Sequence, residues 1–297
     1  MKKMFKLGLI PLLLTMPALS NAQQDINKVE IQTVAVTKDI YMLMGQGGNI
    51  GVSAGEDGVF MIDDQFAPLS AKIRKSVSAI SKKPIRFLLN THWHFDHTGG
   101  NEAFSQEGAL IVAHNNVRER MAKGQFVQAF NMDIPPANPA ALPVLTFDKD
   151  ITFHWNNDVI RVEHPAPAHT DGDAVVFFES ANVVHMGDLY WNGLYPVIDA
   201  DSGGSTSGLV RGVREVLARI DNNTKVIPGH GLLASKVELE NYLHMLTTVN
   251  DRVSKLRAEG KTLEQVIAAK PTADFDSTWG VAYLNGDQWT TMVYLAP

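Results

Sequence analysis

Between positions 92 and 97 the chain reads His-Trp-His-Phe-Asp-His, three imidazoles and a carboxylate packed into one short run. His92 and His94 are two apart, so on an extended segment they project from the same side and can grip one ion together. Asp96 and His97, slightly further on, fall within reach of a second ion beside it. Neutral imidazole and carboxylate suit Zn²⁺, with Fe or Mn less favoured, and a catalytic zinc keeps one position open for water. The chain contains no cysteine, so neither a thiolate ligand nor a disulfide is available.

Three later positions extend the run into a constellation. His169 lies in Pro167-Ala168-His169-Thr170-Asp171-Gly172, Asp188 in His185-Met186-Gly187-Asp188, and His230 in Pro228-Gly229-His230-Gly231. Each is expected just past a strand, where loops from neighbouring strands converge. A single histidine in such a place is more often structural than functional; together, in this order, they form a site. His114, His154, His164, His185 and His244 lack this placement and are read as ordinary surface or core residues.

The elements that must position these residues follow from hydropathy and turn signals. Short Val- and Ile-rich strands are expected near 29–36, 40–44, 49–54 and 58–62, with a Gly-rich turn at 45–48. An amphipathic helix over 68–80 leads into a strand at 85–89, and the histidine run starts where that strand ends. A small helix at 101–106, a strand at 109–113 and a helix at 115–123 continue the β/α alternation. The Pro- and Ala-rich segment 126–143 reads as an irregular, lid-like loop. Strands return at 151–155, 159–163, 174–178 and 183–185, and helices at 206–220 and 237–259 flank a strand at 225–227. With no internal repeat or linker, residues 23–297 read as one α/β domain with two sheets and helices on their outer faces.

Residues 1–22 are a separate object: Lys2, Lys3 and Lys6 precede an apolar run over 7–14, and small residues end at Ala22. That is the pattern of a secretory signal peptide cut after Ala22, too short to span a bilayer. The mature chain is therefore expected to be periplasmic or secreted, with no membrane association after cleavage. Composition is that of an ordinary soluble fold, 45% hydrophobic and 20% charged, and the net charge of −6 offers no general attraction to nucleic acid. The expected partner is a small-molecule substrate.

Taken together, the His92-to-His97 run, the His169 loop, the Gly187-Asp188 pair, the Pro228-to-Gly231 turn and the opening strand Gly58-Val59-Phe60-Met61-Ile62-Asp63 resemble the metallo-β-lactamase superfamily over nearly all of the mature chain. The resemblance implies an αβ/βα four-layer sandwich of two mixed sheets flanked by helices, with the metals at one edge of the sheets. It also implies that His92, His94 and His169 hold one zinc, that Asp96, His97 and His230 hold the other, and that Asp188 bridges them. The implied chemistry is hydrolysis by a metal-bridging hydroxide that attacks the carbonyl of a cyclic amide or ester, Asp96 orienting it and shuttling its proton.

Within that family the commonest zinc β-lactamases carry Cys where this chain has Asp188, and a substrate-binding Lys where it has Trp191. An aspartate bridge is similar to the thioester and lactone hydrolases (lactonase or glyoxalase II-like thioesterase), whereas the His169 surroundings and the export signal are similar to the β-lactamase side. Both readings stand at this point, β-lactam hydrolysis being a main or a side activity. The acidic balance argues against a phosphodiesterase, His94 against a di-iron redox protein, and the full ligand set against a non-enzymatic metal-binding protein. Trp93, Phe95, Tyr190, Trp191 and Tyr195, with the 126–130 segment, are candidate walls for an apolar substrate body. The short 45–48 turn, where the family often has a longer clamping hairpin, implies an open site of modest selectivity.

Overall fold

A computed structural model describes residues 25–127 and 132–297; the expected signal peptide and the tip of the 126–143 segment lie outside these. The first sheet begins as an antiparallel meander of β1 (Gln32–Ala35), β2 (Ile40–Met44), β3 (Ile50–Gly55) and β4 (Gly58–Ile62). After the helix α1 (Ser70–Ile80) it continues with the parallel strands β5 (Ile85–Leu89) and β6 (Leu110–His114). Between those two strands lie the short helices α2 (Phe95–Thr98) and α3 (Asn101–Ser105), and α4 (Asn115–Lys123) follows β6.

The expected irregular loop is in part regular. β7 (Gln125–Val127) pairs antiparallel with β8 (Met132–Ile134) as a separate hairpin, and β9 (Leu145–Phe147) closes the first sheet beside β6. Three-residue strands are too short to leave a readable alternation in sequence.

The second sheet runs β10 (Asp150–Trp155), β11 (Asp158–Glu163), β12 (Val175–Phe178), β13 (Val183–His185), β14 (Lys225–Ile227) and β15 (Ala234–Ser235) in that spatial order, antiparallel except for the β13–β14 pair. Helices α5 (Thr206–Leu217) and α6 (Lys236–Ala258) cover it. Three helices that the sequence pattern left unread, α7 (Leu263–Ala268), α8 (Asp276–Trp279) and α9 (Gly286–Leu295), complete the chain. Among the described residues no helix is long and apolar enough to cross a membrane.

Side-chain alternation explains the layering. In β4, Phe60 and Ile62 point to the inter-sheet core, where they join Ile160, Val162, Val176 and Phe178 of the second sheet. Val59 and Met61 point the other way, onto Ile73 and Val77 of α1. In β12, Val176 and Phe178 face inward while Val175 and Phe177 face α5 and α6. Strands apolar on both faces have to be covered on both, and the outcome is helix, sheet, sheet, helix, the expected αβ/βα sandwich.

Phe60 is fully buried, with its ring centroid 5.0 Å from that of Phe153 and 5.9 Å from that of Phe87. Phe60→Ala should destabilise the fold by about 3–5 kcal/mol through lost burial and the cavity left behind. Val237→Ala, at a position 60% exposed, should shift stability by no more than about 0.5 kcal/mol. Denaturant unfolding of both variants checks the contrast.

Candidate metal centre

The histidine run leaves the end of β5 through Asn90 and Thr91, both buried. Thr91 is the anchor: its carbonyl accepts from the amide of Ala174, and its own amide and hydroxyl donate to Asp63, each at 2.7 Å. Asp63 ends β4 in the left-handed region, φ 60°, which Asp tolerates better than most residues. The same carboxylate accepts from His97 Nδ1 at 2.8 Å, so one residue of the first hairpins fixes both ends of the histidine run.

Acceptor-only partners dictate the imidazole tautomers. Facing the Asp63 carboxylate, His97 Nδ1 must carry a proton, so in the neutral ring the lone pair is on Nε2. His94 donates from Nε2 to Asp199 at 2.9 Å, so its Nδ1 is bare. His169 donates from Nδ1 to the carbonyl of Val197 at 2.7 Å, so its Nε2 is bare. Since the single hydroxyl proton of Thr91 goes to Asp63, Thr91 Oγ1 accepts from His92 Nδ1 at 3.1 Å, and His92 Nε2 is bare too.

These nitrogens converge. His94 Nδ1 and His169 Nε2, both bare, are 2.9 Å apart, and His97 Nε2 faces His230 Nε2 at 3.4 Å. His92 Nε2 is buried without a hydrogen-bond partner. Asp188 stands in the middle, its carboxylate oxygens 3.2 Å from His97, 3.4 Å from His230, 3.5 Å from His169 and 3.8 Å from His92. Asp96 Oδ2 lies 3.4 Å from His230 Nε2 and 3.7 Å from His97 Nε2. His92, His94, His169 and Asp188 thus form one group able to hold a metal ion, and Asp96, His97 and His230 a second. All seven residues singled out in the sequence come together.

The electrostatics demand positive charge. Burial opposes a charge on His97, yet Asp188, Asp96 and Asp63 around it push its pKa well above the ordinary value. Burial and the charge of His97 hold His92 well below its ordinary range. Burial penalises the Asp188 carboxylate, but His230, His97 and His92 outweigh that and hold it well down. Outside the ring of donors, burial pushes Asp199 up, but the hydrogen bond and charge of His94, with Ser202 and His169, together outweigh it and hold it at about 2.

Two glycines permit this density. A Cβ on Gly48 would lie 2.1 Å from the His97 ring, and one on Gly229 would lie 2.1 Å from Asp188 Oδ1. Asn49 clamps the turn that carries His230, donating from Nδ2 to the carbonyls of Pro228 and Gly231 at 2.9 and 2.8 Å. The His169 loop is tied by Asp173, which accepts from the amides of His169 and Thr170 and from the Thr170 hydroxyl. Burial raises the pKa of Asp173 to about 6, against the pull of these donors.

Beside the donors opens a cavity of about 300 Å³, walled by Phe66, Phe95, Met132, Trp191, Val197 and Tyr283. Trp191 covers His230, ring centroids 4.0 Å apart, and Tyr283 adjoins Trp191 at 5.4 Å. Of the five aromatic residues read as candidate walls, Phe95 and Trp191 line the cavity. Trp93, Tyr190 and Tyr195 are buried in the packing beneath it. Sequence reading missed Phe66, Met132 and Tyr283, and also Asp63 and Asp199. Asp63 is the one with a signal, a carboxylate ending a wholly apolar strand.

A model of the metallo-beta-lactamase superfamily matches residues 44–230. The hydroxyacylglutathione hydrolase of Anaeromyxobacter dehalogenans is 29% identical over 151 residues, 50% of this chain and 49% of that protein. The chain spans about half the length of the curated relatives it matches first. Among solved structures, the sec-alkylsulfatase Pisa1 from Pseudomonas sp. superposes with a TM-score of 0.69 at 18% identity, covering 89% of this chain and 50% of that one. The metallo-beta-lactamase FIM-1 from Pseudomonas aeruginosa, in its mono-zinc form, gives 0.58 at 22% identity, covering 74% and 96%. These structural likenesses agree with the two packed sheets, and the sequence match takes in all seven clustered residues: the chain belongs to the metallo-beta-lactamase superfamily.

Proposed function

We propose that the protein is a two-zinc hydrolase in which water attacks the carbonyl carbon of a cyclic amide or ester and the acyl C–N or C–O bond breaks. The observation that carries this is the convergence of two bare imidazole nitrogens, His94 Nδ1 and His169 Nε2, 2.9 Å apart beside the buried Asp188 carboxylate, with His97 and His230 facing each other across the same space. Two acceptors at that separation with no proton between them repel unless a cation lies among them. Nitrogen and carboxylate donors without thiolate suit zinc. His92, His94 and His169 would hold one ion and Asp96, His97 and His230 the other, with Asp188 between them.

Two bound zinc ions supply Lewis acidity, lowering the pKa of a water molecule and polarising a carbonyl. The chain's own residues do the rest. Asp96, 21% exposed and on the cavity wall, can orient a water and carry its proton to the leaving group. Asp63, Asp199 and the Val197 carbonyl keep the imidazoles in the required tautomers. The aromatic wall holds the substrate body and keeps bulk water out. No Ser, Thr, Cys or Lys lines the cavity among the described residues, so a covalent acyl-enzyme has no part in the proposal.

An ester or thioester substrate is favoured over a dedicated β-lactam role by Asp188 at the bridging position and by the hydroxyacylglutathione hydrolases among the relatives. β-Lactam hydrolysis then ranks as a side activity. The reading extends to a single hydrolase domain over residues 23–297, released to the periplasm or medium after removal of residues 1–22 and acting on small molecules.

Bound metal per chain, measured together with hydrolysis of β-lactam, lactone, thioester and phosphodiester substrates with and without a chelator, tests the proposal. Chelation should stop turnover and zinc should restore it; His94→Ala should lose both metal and turnover. Full turnover by the metal-free chain would overturn the proposal.

Asp199 reaches the site only through His94. Asp199→Ala should weaken zinc binding by about 10–100-fold, the usual effect of losing a partner behind a metal ligand, and Asp199→Asn, which keeps an acceptor oxygen, should recover much of it. Competition against a zinc chelator reads both variants, and unchanged affinity in Asp199→Ala would contradict the positioning role.

A further inference from the structure

We infer that the cavity selects substrates with no anionic group beside the scissile carbonyl: neutral esters, lactones or amides bearing an aryl or alkyl body. This rests on the reading of the cavity as the substrate site and adds the charge class of what enters it.

Among the described residues lining the cavity there is no Lys or Arg. The chain has 26 such residues, yet every segment that reaches the site is free of them over a long stretch. Residues 39–71, which bring Phe66, contain none, nor do residues 87–117, which bring His94, Phe95 and Asp96. The same holds for residues 124–148 around Met132, 162–210 from His169 through Trp191 to Val197, 226–235 around His230, and 271–297 around Tyr283. A change of rotamer within these segments therefore cannot deliver a cation.

Arg120 lies near enough to Asp199 to feel its charge. Its guanidinium is engaged by both oxygens of Asp171 at 2.7 Å and by Gln125, and it lines a different surface pocket. What faces the substrate is instead Trp191 and Tyr283 on one side and Phe66 and Phe95, 5.7 Å apart, on the other. An anionic group seated against these rings, away from the His and Asp donors that would hold the ions, loses hydration without gaining a charged side-chain donor, and the ring faces carry negative potential. A neutral aryl or alkyl body gains by the same contact.

The test compares matched pairs on the zinc-loaded protein: phenyl acetate against 4-acetoxybenzenesulfonate, and a cephalosporin methyl ester against its free acid. Each neutral member should show kcat/KM higher by roughly tenfold or more, chiefly through KM, the scale of a charge buried without its partner. Equal or better turnover of the anionic members would overturn the inference.

Calorimetric binding of acetanilide against 4-acetamidobenzenesulfonate judges the inference without turnover. Absence of all hydrolysis would remove the proposed activity, while tighter binding of the neutral amide would still support the charge selection and tighter binding of the sulfonate would refute it. Two variants place a cation in the wall. Trp191→Lys and, at the more exposed position, Tyr283→Lys should each lower the neutral-to-anionic ratio by about tenfold. An unchanged ratio in the folded Tyr283→Lys protein would count against the wall as the source of selection.

Discussion

Histidines turned inward with no proton to share are the constraint on which the rest of this structure depends. His94 Nδ1 and His169 Nε2 sit at hydrogen-bond distance, yet each ring has already spent its proton outward, on Asp199 and on the Val197 carbonyl. In a neutral protein that contact is repulsive, and Asp188 beside it adds a buried negative charge. Both costs vanish when cations occupy the space among them, which makes cation binding and folding of the site one equilibrium. The surrounding scaffold has to hold these groups together.

The scaffold does so by placing the donors where strands end against a closed core. β5 carries the histidine run, β13 carries Asp188 and β14 carries His230, all at the same edge of the sandwich. Behind them Phe60, Ile62, Val176 and Phe178 fill the space between the sheets. Asp63 couples the two levels: it closes an apolar strand of the core and accepts three hydrogen bonds that orient Thr91 and His97. A carboxylate there without those donors would be a buried charge with nothing to satisfy it.

How much of this was legible in the sequence follows from the range of the interactions. The donors announced themselves because three imidazoles and a carboxylate cluster within one short run, and because the later ones follow strands that read clearly as apolar segments. The four layers were legible through the family resemblance and through strands apolar at successive positions. Asp199 was not, because its role depends on a contact with a residue 105 positions away. Tyr283 escaped for the same reason, coming from the helical C-terminal region to meet Trp191. Trp93, Tyr190 and Tyr195 were read as possible walls from their nearness to the ligands in sequence; burial in the cores beneath the cavity decides otherwise. Adjacency along a chain says which loop a side chain belongs to but not which way it turns.

The division between donors and walls also separates what the family dictates from what this chain adds. The donors come from loops inside the span that the family model matches, so family membership speaks to them first. The walls come partly from elsewhere: Phe66 from the segment after β4, Met132 from the β7–β8 hairpin, Tyr283 from between α8 and α9. None of these three belongs to the two groups of donors. Fold likeness to a sulfatase and to a β-lactamase alike is what this arrangement produces, since the shared part is the sandwich and its edge. The substrate of this chain is therefore to be sought in the walls rather than in the donors, and among the described residues those walls carry no Lys or Arg.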